Sequence, residues 1–268
     1  MTVFEIRNSA AKGKLLGYLF YYDRSRRFFA ELLDGIDEWE CPFIFSGHVK
    51  RGIYSIDSVW SGKFVQQRII PSDRQNLGSI LLDNSLKEYD EYRLLQLSEG
   101  RCAQDELRLR RIAEKDISDE IKKRLREKVS DVMVLSGFRV LVFFRNGDSR
   151  IADIKMLYEN DRLFGNILKD EAVFRNVRVS PGGNGIEWGE ERFVPAGSLR
   201  AHGKKVDILY DDILGFIKDR LSDSAGAART LHCSRQYIKQ LTDKKKLIPV
   251  LEGASYNIYT KSPLEREE

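Results

Sequence analysis

Cysteine is scarce in this chain, and its spacing fits no framework. Cys41, Cys102 and Cys233 are the only three among 268 residues. They are odd in number, widely separated and form no CxxC pair. That argues against a disulfide scaffold and against a zinc site with four closely spaced ligands. Histidine is equally rare: His48, His202 and His232 do not cluster. The neighbours His232-Cys233 read as a polar corner residue beside a small buried thiol, not as a metal or redox pair. No apolar run approaches the roughly twenty residues that cross a bilayer. The opening Met1-Thr2-Val3-Phe4-Glu5 has neither the basic nor the apolar stretch of a secretory leader. The expectation is a cytoplasmic protein without membrane contact.

Catalytic signatures are missing as well. The glycine-rich stretch Pro181-Gly182-Gly183-Asn184-Gly185 lacks the GxxxxGK[ST] pattern, and no helix follows it to present N–H groups to a phosphate. A hairpin turn accounts for it. Glu187, Glu190 and Glu191 flank Trp188, but no histidine or second acidic cluster accompanies them. Asp90-Glu91 reads as a solvated helix face. No nucleophile–base pair is visible. The sequence therefore predicts no catalytic residue, no metal and no cofactor, and a protein that is not an enzyme.

What is present is ordinary soluble material, 42% hydrophobic and 32% charged, in a chain longer than one typical domain. The pattern predicts a multi-domain α+β protein. A β-rich, aromatic domain with helices spans 1–100 and a charged helical linker 101–130. A small α+β domain follows at 131–205, then a helix with a winged helix-turn-helix at 206–268.

In the first region, Leu15 to Tyr22 and Arg27 to Leu32 flank the turn Asp23-Arg24-Ser25-Arg26, a predicted hairpin. Trp39 and Trp60 could form a binding platform; the preferred reading puts them in a small β core. Ser85-Leu86-Lys87-Glu88 has the form of a capping box, with a helix running on to a stop at Gly100. The phrases R-I-I-P-S-D-R-Q-N, L-K-E-Y-D-E-Y-R-L-L and G-R-C-A-Q-D resemble the N-terminal lobe of HipA-like toxin kinases. The remaining chain has no room for a kinase catalytic lobe, so the resemblance implies a binding or regulatory lobe. Segment 101–130 carries ten basic and seven acidic residues. With Leu107, Ile112, Ile117, Ile121 and Leu125 recurring through it, it reads as one or two exposed amphipathic helices.

In the middle region, Phe138 to Phe144 and Ser149 to Ile154 flank the turn Arg145-Asn146-Gly147-Asp148. Met156 to Phe164 suits a short helix, and Phe174 to Val179 with Ile186 to Trp188 a second hairpin. Three patterns, V-x-F-x-x-G-x-x-R-x-x-D at Val142 to Asp153, L-x-D-x-x-x-F-x-x-V at Leu168 to Val177 and I-x-W at Ile186 to Trp188, resemble a small bacterial domain family of unknown function. Its members are α+β proteins, many encoded beside toxin–antitoxin-like genes. The resemblance implies fold and context and supplies no chemistry.

The most informative stretch runs from Ala227 to Leu241. Ala227, Ala228 and Leu231 give a first helix an apolar face, and Ser234 is a natural N-cap for a second. Ile238 and Leu241 point back at the first helix, while Gln236, Lys239 and Gln240 face away with Arg235 on the flank. Amides and cations there suit base edges and phosphates. Lys244-Lys245-Lys246 closes the helix. Leu247 to Glu252, the turn Gly253-Ala254 and Ser255 to Thr260 read as a wing. The order A-A-x-x-L-x-x-S-R-Q-x-I-x-x-L, basic turn, L-I-P-V, Y-N-I-Y resembles the excisionase and MerR-like DNA-binding family. Its members usually carry glycine where Lys245 or Lys246 stands. From Ser224 to Lys246 there are six Lys/Arg and one Asp against a whole-chain charge of +4.

The expected DNA-binding residues are Ser234, Arg235, Gln236, Tyr237, Lys239, Gln240, Lys244, Lys245 and Lys246. The leading expectation is a bacterial or phage DNA-binding regulator of antitoxin-like kind. Its upstream domains would serve a toxin-like protein partner, a ligand or a second copy in a homodimer. The alternative is an adaptor that docks protein or RNA. Val206 to Leu221 should form a helix feeding the module.

Overall fold

The computed structural model describes residues 1–189, 192–253 and 256–260. Glu190, Glu191, Ala254 and Ser255, which figured in the sequence expectations, lie outside the described residues. Met1–Val206 forms one compact unit and Asp207–Glu268 a second.

The first unit opens with strands β1 (Thr2–Asn8), β2 (Lys14–Tyr22) and β3 (Arg27–Leu32). Then come helix α1 (Ser46–Val49), strand β4 (Ser55–Ile56), and helices α2 (Ser58–Gln66), α3 (Leu77–Asp83) and α4 (Glu91–Ser98). The predicted hairpin is present, with Tyr22 opposite Arg27 across the turn. Strand periodicity places alternate side chains on opposite faces. Phe4, Ile6, Leu19, Tyr21 and Phe28 pack on one face with Phe45, Phe64, Leu94 and Leu95. Val3, Tyr18 and Phe20 pack on the other.

Most early aromatics are core, as expected, but Trp39 is not. It is 85% exposed, and nearby Phe43 is 90% exposed. Trp60 is only partly covered, with His48 edge-on to its ring and Lys63 over its face. The expected capping box at Ser85 does not form. Ser85 instead adopts a left-handed φ of 57° just past α3. Its N–H bonds the Leu82 carbonyl, and that of Leu86 bonds Leu81. The next helix starts later because Asp90 caps it, accepting the Arg93 N–H at 3.0 Å; Asp90 is thus a cap and not merely a solvated acid.

The segment 101–130 is not a helical linker. It contains β5 (Leu107–Ile112) and α5 (Asp119–Arg126). Strand β5 completes a five-stranded antiparallel sheet in the order β4-β3-β2-β1-β5. Leu107 and Leu109 enter the core while Arg108 and Arg110 face out, a two-residue period. Helix α5 covers the other face of the sheet through Ile121, beside Ile117.

The chain continues through β6 (Val129–Leu135), β7 (Arg139–Phe144), β8 (Ser149–Asp153), α6 (Ile154–Tyr158) and α7 (Glu171–Phe174). Next come β9 (Arg178–Val179), β10 (Gly185–Glu187), β11 (Phe193–Pro195), α8 (Ala196–His202) and β12 (Lys204–Lys205). Sheets β12-β8-β7-β6 and β11-β10-β9 enclose a core that includes Phe144, Phe164, Phe174 and Trp188. The first predicted hairpin of this region forms. The second is shorter than expected, with only Arg178–Val179 pairing with Ile186–Glu187 and Phe174 ending α7. The helix expected at Met156–Phe164 is shorter and starts at Ile154, because Asp153 accepts the Met156 N–H.

The pattern residues here have structural tasks. Asp153 and Asp170 cap helices, Gly147 has a φ of 84°, and Arg150 donates to the carbonyls of Arg200 and Gly203. Trp188 Nε1 donates to the Phe174 carbonyl at 2.7 Å. The glycine run is required by close approach. A Cβ on Gly183, whose φ is 73°, would stand 2.1 Å from the Val129 carbonyl oxygen, and one on Gly182 would stand 1.9 Å from the Tyr22 hydroxyl.

The boundary expected near residue 131 is crossed by buried charge. Glu31 on β3, 1% exposed, accepts from Lys128, from Arg124 at 2.9 Å and from Ser55 at 2.6 Å. Lys128 also donates to Asn184 Oδ1 at 2.8 Å. Glu187 on β10 is held by Arg27 at 2.9 Å and by Arg178 at 3.0 Å. Burial alone would raise the Glu31 pKa, but Lys128 and Arg124 outweigh it and hold the carboxyl below its ordinary value. Among the described residues no helix is long and apolar enough to cross a membrane.

Candidate nucleic-acid interface

The second unit consists of α9 (Tyr210–Arg220), β13 (Leu221–Asp223), α10 (Ser224–Thr230), α11 (Arg235–Asp243), β14 (Leu251–Glu252) and β15 (Asn257–Thr260). The strands form a small sheet in the order β13-β15-β14. This is a winged helix-turn-helix arrangement, with a wing strand shorter than the expected Leu247–Glu252. The helix expected from Val206 begins at Tyr210.

Local chemistry sets each end. Asp223 accepts the Gly226 N–H at 2.7 Å and starts α10. At its close, the N–H groups of His232 and Cys233 bond the carbonyls of Arg229 and Ala228, with His232 at a φ of 49°. This left-handed turn makes the corner between the helices. Ser234 then caps α11, its hydroxyl accepting the Tyr237 N–H at 3.2 Å. The end of α11 repeats the device. Lys245 and Lys246 N–H groups bond Thr242 and Leu241, each at 2.9 Å, with Lys245 at a φ of 56°. The lysine at the expected glycine position therefore occupies glycine's conformation.

One face of α11 is locked. Ile238 is buried with Ala227, Ala228, Leu247 and Tyr259, and Leu231, Cys233 and Leu241 pack against them. Cys233, expected as a small buried thiol, is half-buried. Tyr259 of the wing meets the Thr242 hydroxyl at 3.0 Å, and Thr242 in turn donates to the Ile238 carbonyl. The wing is thereby fastened to α11.

The opposite face is exposed among the described residues. Ser234, Arg235, Gln236, Tyr237, Lys239, Gln240, Lys244, Lys245 and Lys246 are all exposed. Among the described residues, Arg235, Lys239 and the three lysines make no ion pair. Asp243 is exposed on the same outward arc as Gln236, Lys239 and Gln240. Arg229, absent from the sequence expectation, is also exposed. With Arg235 and His232 it lines a shallow depression of about 440 Å³ at the corner. Its signal was a lone cation in the last turn of an otherwise small-residue helix.

No protein-family model matches the chain, and no curated protein does. A crystal structure of a provisionally assigned DNA-binding protein from Nitrosomonas europaea is 19% identical, covering 46% of this chain and 79% of that one. Its TM-score of 0.24 supports no argument about fold or function. What the interface can do is therefore read from its own geometry.

Proposed function

We propose that the second unit binds duplex DNA with α11 in the major groove and the β14–β15 hairpin as its wing. The observation that carries this reading is the division of α11 itself. Its inward face is fixed by Ile238, Thr242 and Tyr259, and its outward face holds amides and cations that make no ion pair among the described residues. Gln236, Lys239 and Gln240 stand where base edges would lie, and Arg235 with Lys244 to Lys246 at the two ends where phosphates would lie. The resemblance to excisionase and MerR-like proteins agrees with it. In this reading the chain is a bacterial or phage regulator of antitoxin-like kind acting in the cytoplasm. The exposed Leu209, Tyr210, Phe216 and Ile217 on and beside α9 support pairing with a second copy, which would present two recognition helices to two half-sites.

The test is a salt series. Neutralising a phosphate releases condensed counterions, so each lost contact flattens the log–log slope by about 0.9. Lys244→Ala, Lys245→Ala and Lys246→Ala together should weaken binding about equally on all sequences. Gln236→Ala should cost about 1–3 kcal/mol on the preferred site alone. A second reading, an adaptor that docks protein, is favoured by the exposed Trp39 and Phe43. It takes over if the triple lysine variant binds DNA as wild type does at every salt concentration.

A further inference from the structure

The first unit carries a cationic cleft that the sequence disguised as a helical charge run. Strand β5 is the sheet edge next to β1, with Arg108 opposite Arg7 and Arg110 opposite Glu5. A cleft of about 750 Å³ lies there, lined by Arg7, Lys12, Arg108, Arg110 and Arg111 against the single carboxylate Glu99. Glu99 is already engaged by Arg101 at 2.9 Å. Arg7 and Arg110 are held by buried Glu5, at 2.7 and 2.8 Å. Lys12, Arg108 and Arg111 have no ion pair or side-chain hydrogen bond among the described residues.

We propose that this cleft binds the phosphodiester backbone of a nucleic acid, with Lys12, Arg108 and Arg111 as its free contacts and Glu5 fixing Arg7 and Arg110 beside them. Four of the five cations are arginines, whose planar forks match phosphate oxygens in pairs. Arg108 and Arg110 lie two residues apart on one face of a strand, roughly 7 Å, so a chain of phosphates satisfies them better than a single one. The apolar lining residues Phe4, Leu95 and Leu109 are buried, at 4%, 1% and 7% exposed. None of these lining side chains stands out to enter a bilayer, and the one ring among them, Phe4, is not free to stack a base. Binding therefore follows the backbone and ignores sequence. The inference is independent of the reading of α11, since every residue in it belongs to the first unit.

The experiment uses the full chain and labelled random-sequence duplex and single-stranded DNA across a salt series. The variant K12Q/R108Q/R111Q removes three charges while keeping polar side chains and disturbs no ion pair among the described residues, and Arg108→Gln alone is the milder form. The triple variant should flatten the duplex slope by up to about 2.7, and the single one by about 0.9. Both should bind more weakly on every sequence, with unchanged melting. Unchanged affinity and slope in the folded triple variant overturn the proposal. If K244A/K245A/K246A has meanwhile lost binding, the reading of α11 stands without it. Loss in the cleft variant alone supports the cleft and removes the α11 reading. Loss of binding to phosphatidylserine vesicles with DNA binding intact overturns the proposal in favour of a membrane surface.

Discussion

Lys245 and His232 show how single residues shape the second unit. Each sits in the left-handed region at the end of a helix, at φ values of 56° and 49°, where a side chain costs about 1–2 kcal/mol that glycine avoids. Part of that gain is offset because glycine gives up more freedom on folding. Lys245→Gly and His232→Gly should each stabilise the module by about 0.5–1 kcal/mol, read as a rise of a few degrees in its thermal midpoint. Lys245→Gly should at the same time lose about 0.9 of salt slope on DNA. A variant that melts higher and binds more weakly separates the two roles of that lysine. A lower midpoint would mean that the Lys245 side chain contributes more to folding than its backbone geometry costs.

Glu31 is the corresponding residue in the first unit. Its folded pKa lies below the ordinary value of 4.5. Its contribution to stability is therefore complete at neutral pH and is lost as pH falls below that value through the folded one. The melting temperature of the first unit should drop steeply across that acid range. Glu31→Gln leaves Lys128 buried without a carboxylate partner, while Arg124 keeps Asp34 and Glu120, and should cost about 3–5 kcal/mol at neutral pH. It should also flatten the acid-side dependence. An unchanged pH profile in the variant would assign the acid sensitivity elsewhere, with Glu5, lowered chiefly by its Arg7 hydrogen bond, the next carboxylate to test.

At the scale of elements, sequence legibility followed how local the determinants are. The β2–β3 and β7–β8 hairpins were readable because alternating apolar residues and turn residues lie within one short window. The corner at His232-Cys233 and the Ser234 cap were readable for the same reason. Strand β5 was not. Counting Leu107, Ile112, Ile117, Ile121 and Leu125 together suggested a helix and hid the two-residue alternation of Leu107-Arg108-Leu109-Arg110, which only pairing with β1 enforces. The Ser85 motif failed because Asp90 offered a better start once α3 had ended in a left-handed turn. The fastening of the wing was equally invisible, since Thr242 and Tyr259 meet only in the folded unit. Tyr259→Phe keeps the ring and deletes that hydroxyl, while Thr242 retains its bond to Ile238. The expected loss is about 1 kcal/mol, a drop of several degrees for a unit of this size, with the α11 surface chemically unchanged.

For the whole molecule, the question is where the chain can be cut. Reading 101–130 as a linker made it the natural protease target. Its structure argues otherwise: β5 is paired along its length with β1, Ile121 of α5 is buried, and Lys128 and Arg124 reach Glu31. Cleavage needs several residues of backbone to leave their hydrogen bonds and enter a protease, which exposed side chains alone do not permit. Lys204 and Lys205 pair with β8, and Val206 N–H still bonds the Ser149 carbonyl. From Asp207 to Leu209 the backbone belongs to no helix or strand, and the boundary of the two compact units falls there. Limited chymotrypsin digestion should therefore cut first after Leu209 or Tyr210 and leave a resistant fragment close to residues 1–206. Trypsin should spare Arg108, Arg110, Arg111, Lys122 and Lys123 at the same stage, despite their number. Early products ending within 107–128, identified by intact mass, would show that the sheet edge and α5 open readily. The two parts of the first unit would then be separate domains after all, joined by a segment that behaves as a linker.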